Sequence, residues 1–434
     1  MFNYLKQKLT NMIQEQEMVS GDAVVDSNTS RRQYKGSFIL GSLSLGHVLI
    51  HWFQQLWPVL IPSVKSGLGL SNVEIGTLTA VRQFAAGPLL AIPSGLLADL
   101  YRKRTAIILS SAFLAFGLSH FMLAKVPNFF WMVPCVAFLG VGTALWHPAS
   151  MGTLSRRFPE RRGTALAIHG VGASIGDTIA PIAIGFLLLS VSWRALLEAH
   201  LLPALVIALV LWVCLTPIYR NQSGEETKPT LRSYWNDVKD LMSSHVVLAI
   251  IAVNVLTGMA RLTIMTFLPI YIQDDLEYSA FGLGFFWALL HIMGAISQPV
   301  MGYLSDKFGR KAVLLPALIL YGLLYLALAI AEPGAQLITV IVALGLFFYA
   351  LVNVTQATIM DVATDRIQSS TMGITGVFTQ FLSLPAPILA GYLVNIYGTQ
   401  SSFIFAGIVT LIAALVLLMI HVPTSNTPTP KTSG

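Results

Sequence analysis

Two arginines lie near the middle of long apolar stretches, where charged side chains are uncommon. Arg82 follows "NVEIGTLTAV" and Arg261 follows "VLTGMA". A guanidinium keeps its charge and can hold a carboxylate or phosphate through two parallel hydrogen bonds. Because an ionised group inside such a stretch indicates a functional site, we interpret both arginines as candidate contacts for an anionic solute. A structural ion pair between Arg82 and Asp177 is the alternative.

A polar stripe accompanies the first apolar segment. Its members follow one another at spacings of three or four residues, so they share one face of a helix. This face would be costly against lipid and should turn toward the protein interior. Histidine titrates near neutral pH, so each could carry a coupling proton or act as a neutral hydrogen-bonding group. The stripe is His47, His51, Gln54 and Gln55, and the further solute-contact candidates are His147, His291 and Asn353.

One acid stands near the centre of an apolar segment in the first half of the chain. Asp177 lies in "GVGASIGDTIAPIAIG". A buried carboxylate is a candidate proton acceptor, although a nearby arginine would favour its charged form. We therefore predict Asp177 as a proton-coupling residue, with His169 as a second candidate.

The elements that must position these residues follow from composition. Of 434 residues, 55% are hydrophobic and 11% are charged, whereas a soluble domain carries about 25% charged residues. Segments of about 20 apolar residues are long enough to cross a bilayer as helices. We predict an all-α membrane protein with twelve spans, at 37–63, 71–99, 105–124, 128–152, 163–190, 194–217, 244–273, 279–304, 312–331, 336–360, 371–396 and 400–421.

The basic residues indicate the orientation of these spans. Of 26 Lys and Arg, 21 fall in the two tails or in every second loop, and the alternate loops hold Lys65, Lys125 and Arg194. This distribution follows the positive-inside rule and argues against a nucleic-acid partner despite the net charge of +6. We expect a multi-pass plasma-membrane protein with both termini in the cytoplasm. The predicted units are a tail at 1–36, six spans at 37–217, a linker at 218–242, six spans at 243–421 and a tail at 422–434.

The two halves repeat each other. Gly95 and Asp99 fall on Gly302 and Asp306 at an offset of 207 residues. "GVGASIGDTIAPIAIG" at 170–185 falls on "GVFTQFLSLPAPILAG" at 376–391 at an offset of 206, without a gap. Two matches at nearly one offset indicate duplicated six-helix bundles.

These features resemble the major facilitator superfamily, whose loop signature reads roughly G-x-L-a-D-r-x-G-r-k. The copy "GYLSDKFGRK" at 302–311 matches it, whereas the first copy, "GLLADLYRKR", has Arg102 at the second glycine. The resemblance implies two pseudo-symmetric bundles that move about a central site by alternating access. A weaker likeness to fosmidomycin-resistance-type exporters rests on "GHVLIHWFQQLWPVLIP", "HPASMGTLSRRF" and "RRGTALAIHGVGASIG", with Ala149 where that branch usually has Glu.

In this family the loop acid packs against the other bundle when the inner side is closed. The resemblance therefore implies a conformational latch, although its basic residues could instead serve only to fix topology. The predicted latch residues are Gly95, Asp99, Arg102, Arg104, Gly302, Asp306, Gly309, Arg310 and Lys311.

The resemblance, the charges and the absence of catalytic motifs together predict a secondary transporter for a small anionic organic solute, with proton coupling as a further expectation. A multidrug or antibiotic efflux antiporter is the alternative, and the direction of transport stays open. An enzyme is disfavoured because no HExxH, GxSxG or P-loop motif occurs, and Cys135 and Cys214 have no ligand spacing. We expect no catalytic residue, metal or cofactor, and a monomer whose partners are its small-molecule substrate and the lipid bilayer.

Overall fold

The computed structural model describes residues 27–220, 245–362 and 368–420, and side chains are described from 36 onward except at 91, 92, 99, 220, 362 and 368–374. The predicted tails and most of the linker therefore lie outside the described residues, as does the side chain of Asp99.

The described part of the chain consists of helices joined by short turns. Its helices are α1 Ser27–Leu68, α2 Asn72–Phe84, α3 Ala91–Leu100, α4 Thr105–Lys125, α5 Phe129–Arg157, α6 Arg162–Leu187, α7 Trp193–Ala199, α8 Leu201–Arg220, α9 His245–Ile270, α10 Ala280–Phe308, α11 Arg310–Ala329, α12 Ala335–Phe348, α13 Ala350–Val362, α14 Gln368–Ser383, α15 Pro385–Tyr397 and α16 Gln400–Met419.

The predicted membrane-spanning fold is confirmed. Among the described residues, 11 helical segments are long and apolar enough to cross a bilayer. The predicted span 71–99 is the one that is not among these 11 segments. A π-helical turn at Ala85–Leu89 containing Pro88 separates α2 from α3, because proline lacks the N–H that would continue the regular ladder.

Several helices at one end of the protein begin with a side-chain cap. Ser71 accepts a hydrogen bond from the backbone N–H of Glu74, whose carboxylate accepts one from the N–H of Ser71. This reciprocal pair is a capping box. The side chains of Asn128, Ser192 and Ser279 each accept one backbone hydrogen bond at the starts of α5, α7 and α10. These caps define where the four helices begin.

We call the end carrying the turns at 69–71, 126–128, 188–192, 276–279 and 398–399 the closed end, because the two halves pack tightly there. A methyl group added at Gly284 on α10 would overlap the carbonyl of Pro181 on α6. One added at Gly185 would overlap the carbonyl of Ala280. Only glycine permits these helices to approach so closely.

The same contact recurs on the opposite side of the molecule, between α2 and α15. A methyl group at Gly76 would overlap the carbonyl of Pro387, and one at Gly391 would overlap the carbonyl of Asn72. Pro387 and Gly391 are the repeat partners of Pro181 and Gly185 at the offset of 206. The duplicated motif therefore builds the seam between the halves twice.

Polar contacts between the halves reinforce the closed end. Lys65 at the end of α1 lies 3.3 Å from the carboxylate of Asp274 after α9. The amide of Asn72 donates to the side chain of Asn395 at 2.9 Å. Both contacts join the first half of the chain to the second, and neither is predicted by the sequence analysis.

The same spans have open space at some positions toward the opposite end, which carries the basic loops at 101–104, 158–161 and 309 and which we call the basic end. No neighbouring heavy atom lies within 4 Å of a side chain added at Gly95 on α3, Gly170 on α6, Gly302 on α10 or Gly376 on α14. The two halves thus meet backbone to backbone at the closed end, whereas these four positions toward the basic end have open space beside them.

The second copy of the loop signature joins helix ends within its own half. Arg310 donates to Asp361 at 2.7 Å, to Ser305 at 2.7 Å, and also to Asp306. Gly309 has φ +94°, a conformation that favours glycine. The first copy has Arg102 at that position and turns through a 3₁₀ helix at Arg102–Arg104 instead. A latch across the two bundles stays a prediction.

The seam predicts unequal effects for one substitution at two places on α10. Gly284→Val should lower thermal stability because its side chain meets the carbonyl of Pro181, and overpacking of this kind costs about 1–3 kcal/mol. Gly302→Val, in the same helix with open space beside it, is the control. Melting temperatures of the purified variants in detergent measure the difference, and equal shifts would contradict the seam.

Candidate functional site

A carboxylate shared between the two halves forms the centre of the candidate site. Asp177 on α6 is buried, with 4% of its surface exposed. Its Oδ1 accepts hydrogen bonds from His51 Nδ1 at 2.8 Å and Gln55 Nε2 at 2.6 Å. Its Oδ2 accepts one from the hydroxyl of Tyr349 at 2.9 Å, which lies between α12 and α13 in the second half. Three donors therefore surround one buried charge.

Gln55 extends the network further into the second half. Its Oε1 accepts a hydrogen bond from the indole N–H of Trp287 at 2.7 Å. Its Nε2 also lies 3.3 Å from His291 Nε2. The Nδ1 of His291 lies 2.8 Å from the carbonyl of Trp287, so Nδ1 carries the proton and Nε2 can accept from Gln55. One glutamine side chain thus links Asp177 to α10.

The guanidinium of Arg261 lies beside this network. The guanidinium carbon of Arg261 on α9 is 4.7 Å from the ring centroid of Phe348 and 4.9 Å from that of Tyr349. Its Nε is buried without a hydrogen-bond partner. Cation–π contacts stabilise the charge without satisfying its donors. Arg261 therefore retains an unused hydrogen-bond donor next to the residue that binds Asp177.

Arg82 on α2 is partly buried against α5, where a methyl group added at Gly140 would come within 2.8 Å of its carbonyl oxygen. Within the described part of the chain, its guanidinium has no hydrogen bond or ion pair. The alternative structural pair with Asp177 is wrong, because the three donors to that carboxylate come from His51, Gln55 and Tyr349.

The polar stripe of α1 turns inward toward a group of histidines. The ring of His47 stacks on that of His169 at a centroid distance of 3.9 Å. The ring centroids of His51 and His147 lie 4.7 and 5.3 Å from the centroid of His47. Gln54 donates to the hydroxyl of Thr143 at 3.2 Å. Four predicted histidines from three helices are therefore brought together in the first half.

One predicted solute-contact residue and the second copy of the loop signature lie apart from this centre. Asn353 is exposed and donates to the side chain of Gln298 at 2.6 Å. The signature residues from Gly302 to Lys311 lie toward the basic end, where Lys311 donates to the carbonyl of Leu418 at 2.9 Å. These residues join helices at the basic end and do not contact Asp177.

Tyr349 and Trp287 are two residues of the network that were not predicted from the sequence. Both lie in predicted apolar spans, where aromatic residues are most often packing residues. The available signal was the polar atom on each ring, since a buried hydroxyl or indole N–H usually finds a partner. Both partners, Asp177 and Gln55, were themselves predicted site residues.

Comparison with known proteins identifies the family. The model of the Major Facilitator Superfamily matches residues 43–297 and 291–434. An uncharacterized MFS-type transporter of Methanocaldococcus jannaschii, MJ1317, is 23% identical over 418 residues, covering 91% of this chain and 97% of that protein. The fosmidomycin resistance protein of Escherichia coli is 26% identical over 316 residues, covering 70% of this chain and 72% of that protein.

A solved structure has the same fold. It is a bacterial homologue of the human lysosomal transporter Spinster in an inward-facing, unoccupied conformation, and it superposes with a TM-score of 0.74 at 16% identity, over 88% of this chain and 96% of that one. Together with the helical spans and the duplicated seam, these matches establish that the chain belongs to the Major Facilitator Superfamily and is a multi-pass membrane transporter, not an enzyme.

Proposed function

We propose that this transporter moves a small organic anion by alternating access. The observation that carries the proposal is the charge balance at membrane depth. Arg82 and Arg261 contribute two positive charges and Asp177 one negative charge, which leaves a formal excess of one positive charge when the histidines are neutral. Burying an uncompensated charge is costly, and an anionic solute bound near Arg82 would compensate it.

The contacts between the bundles support the alternating-access part of the proposal. At the closed end the two halves meet through glycine contacts on both sides of the molecule, while the same spans have open space beside four glycines toward the basic end. If the basic loops face the cytoplasm, as the positive-inside rule predicts, this conformation is inward-facing. Opening the closed end then requires separation of α6 from α10 and of α2 from α15.

We further propose that Asp177 carries a coupling proton. As a carboxylate it accepts hydrogen bonds from His51, Gln55 and Tyr349. Protonation would remove the negative charge to which all three donors are directed and would turn one oxygen into a hydroxyl, so these hydrogen bonds would weaken. Since Tyr349 belongs to the second bundle, protonation would weaken a contact between the bundles and favour their separation.

Efflux of an antibiotic is the second candidate function. The observation that favours it is the match to the fosmidomycin resistance protein over 70% of this chain. The charge argument applies equally to export and import, so efflux concerns direction and cargo and does not alter the roles proposed for the two arginines.

Arg82 gives a direct test of the anion proposal. Organic acids and phosphonates should raise the melting temperature of the purified protein, and Arg82→Gln should weaken the apparent affinity about 10- to 100-fold, since hydrogen bonds to charged groups contribute about 1.5–3 kcal/mol. Arg161→Gln, at an exposed position, is the matched control. Stabilisation by lipophilic cations alone would overturn the proposal.

The coupling proposal concerns Asp177. In proteoliposomes containing an anion identified by that screen, an imposed pH gradient should drive accumulation by the wild type. Asp177→Asn should lose gradient-driven accumulation and retain exchange of labelled for unlabelled anion, because the variant cannot gain or lose the proton. Glu198→Gln, which removes a carboxylate that pairs with Lys125 at 2.6 Å outside the network, should behave as the wild type. Wild-type accumulation by Asp177→Asn would exclude this role.

The contact between Tyr349 and Asp177 predicts a coupled loss of stability. Tyr349→Phe should lower the melting temperature by a few degrees, since a hydrogen bond to a buried carboxylate is worth about 1.5–3 kcal/mol. In an Asp177→Asn background the same change should have a smaller effect. Tyr392→Phe, at an exposed tyrosine of the same bundle, is the control. Additive effects of the two substitutions would show that the bond contributes nothing.

A further inference from the structure

We propose that His47, His51 and His147 form a binding site for one divalent transition-metal ion, distinct from the arginine contacts proposed for the anion. One ring nitrogen of each histidine lies within 4.8 Å of one from each of the others. The ring centroids are 4.7, 5.3 and 5.9 Å apart. His47 and His51 lie four positions apart on one face of α1, and His147 lies on α5, 96 positions after His51.

The hydrogen bonds of two of these rings fix which nitrogen is available. His47 Nδ1 lies 2.8 Å from the carbonyl of His169, and His147 Nδ1 lies 3.0 Å from the carbonyl of Thr143. A carbonyl oxygen only accepts, so Nδ1 must carry the proton in both rings. The Nε2 atom of each ring therefore presents a lone pair, as a metal ligand must.

The third ring is oriented by a carboxylate. His51 Nδ1 lies 2.8 Å from Asp177 Oδ1, and because the carboxylate accepts, Nε2 is again the free lone pair. Metal-binding histidines usually donate their other N–H to a carboxylate or a backbone carbonyl, which fixes the tautomer and the ring plane. All three rings have this arrangement.

A water molecule satisfies this cluster less well than a cation does. The Nε2 of His47 is buried and has no hydrogen-bond partner. A single water has two protons and can donate to only two imidazole lone pairs, whereas a metal ion can bind three. The ring of His169, stacked on His47 at 3.9 Å, holds the first ring in place.

The donor set indicates the class of metal. Three imidazole nitrogens suit Zn²⁺, Cu²⁺ or Ni²⁺, whereas Ca²⁺ and Mg²⁺ prefer oxygen ligands. Tetrahedral Zn²⁺ with Zn–N bonds of about 2.0–2.1 Å separates its nitrogens by about 3.3 Å, so rings with nitrogens within 4.8 Å of one another must move closer and turn Nε2 toward the ion. With three protein ligands, at least one coordination position remains for water or for an oxygen of a bound solute. His51 and His147 are partly exposed, so an ion can reach them.

Zinc titration of the purified full-length chain tests the site. The protein, free of affinity-tag histidines and stripped of metal with a chelator, should bind one Zn²⁺ in calorimetry. After loading with zinc it should retain one equivalent of zinc by elemental analysis. The double variant His51→Gln with His147→Gln should bind at least about 100-fold more weakly, because two of three ligands are lost. His245→Gln, at the exposed start of α9, should bind as the wild type.

Substitution of one metal-binding histidine by cysteine distinguishes metal coordination from a purely structural role of the residue. His147→Cys should give a cobalt complex with a sulfur-to-metal charge-transfer band that the wild-type cobalt complex lacks. Equal zinc affinity in the wild type and the double variant would overturn the proposal, as would a cobalt spectrum without that band. Neither measurement uses the anion, so the metal site and the anion proposal can fail independently.

Discussion

One buried carboxylate constrains the arrangement of both bundles. An isolated charge at membrane depth is costly, so Asp177 can remain ionised there only while donors surround it. Two of its donors come from α1 and the third from the second bundle. Any movement that separates the bundles removes the third donor. The relative position of the halves and the electrostatic state of this group are therefore linked, which is the physical requirement for coupling a proton or an ion to alternating access.

The glycine seam provides the steric counterpart of this electrostatic link. Two glycine-to-carbonyl approaches close α6 on α10, and two close α2 on α15. Because the backbones meet directly, no side-chain rotamer can absorb a small displacement, and the seam is either packed or separated. Packed interfaces of this kind favour two discrete arrangements over a continuum.

The fold can be predicted well from the sequence because a helix that crosses the bilayer needs a long apolar segment. Apolar runs locate the spans, and the offset of 206 that aligns Pro181 with Pro387 identifies the two halves. The site is predicted only in part. The charged residues within the apolar spans indicate Asp177, Arg82 and Arg261. Which of these side chains meet depends on the rotation of each helix about its own axis, which the sequence does not give. The pair of Arg82 with Asp177 is therefore wrong, and Tyr349 was overlooked because its hydroxyl gives no periodic signal.

The break in the tenth span coincides with Tyr349. The helix stops at Phe348 and resumes at Ala350, so the tyrosine occupies the joint between α12 and α13. From this position Tyr349 contacts two opposite charges, since its hydroxyl donates to Asp177 and its ring lies against the guanidinium of Arg261. A change of backbone torsion at this break would therefore alter the environment of a negative and a positive charge together.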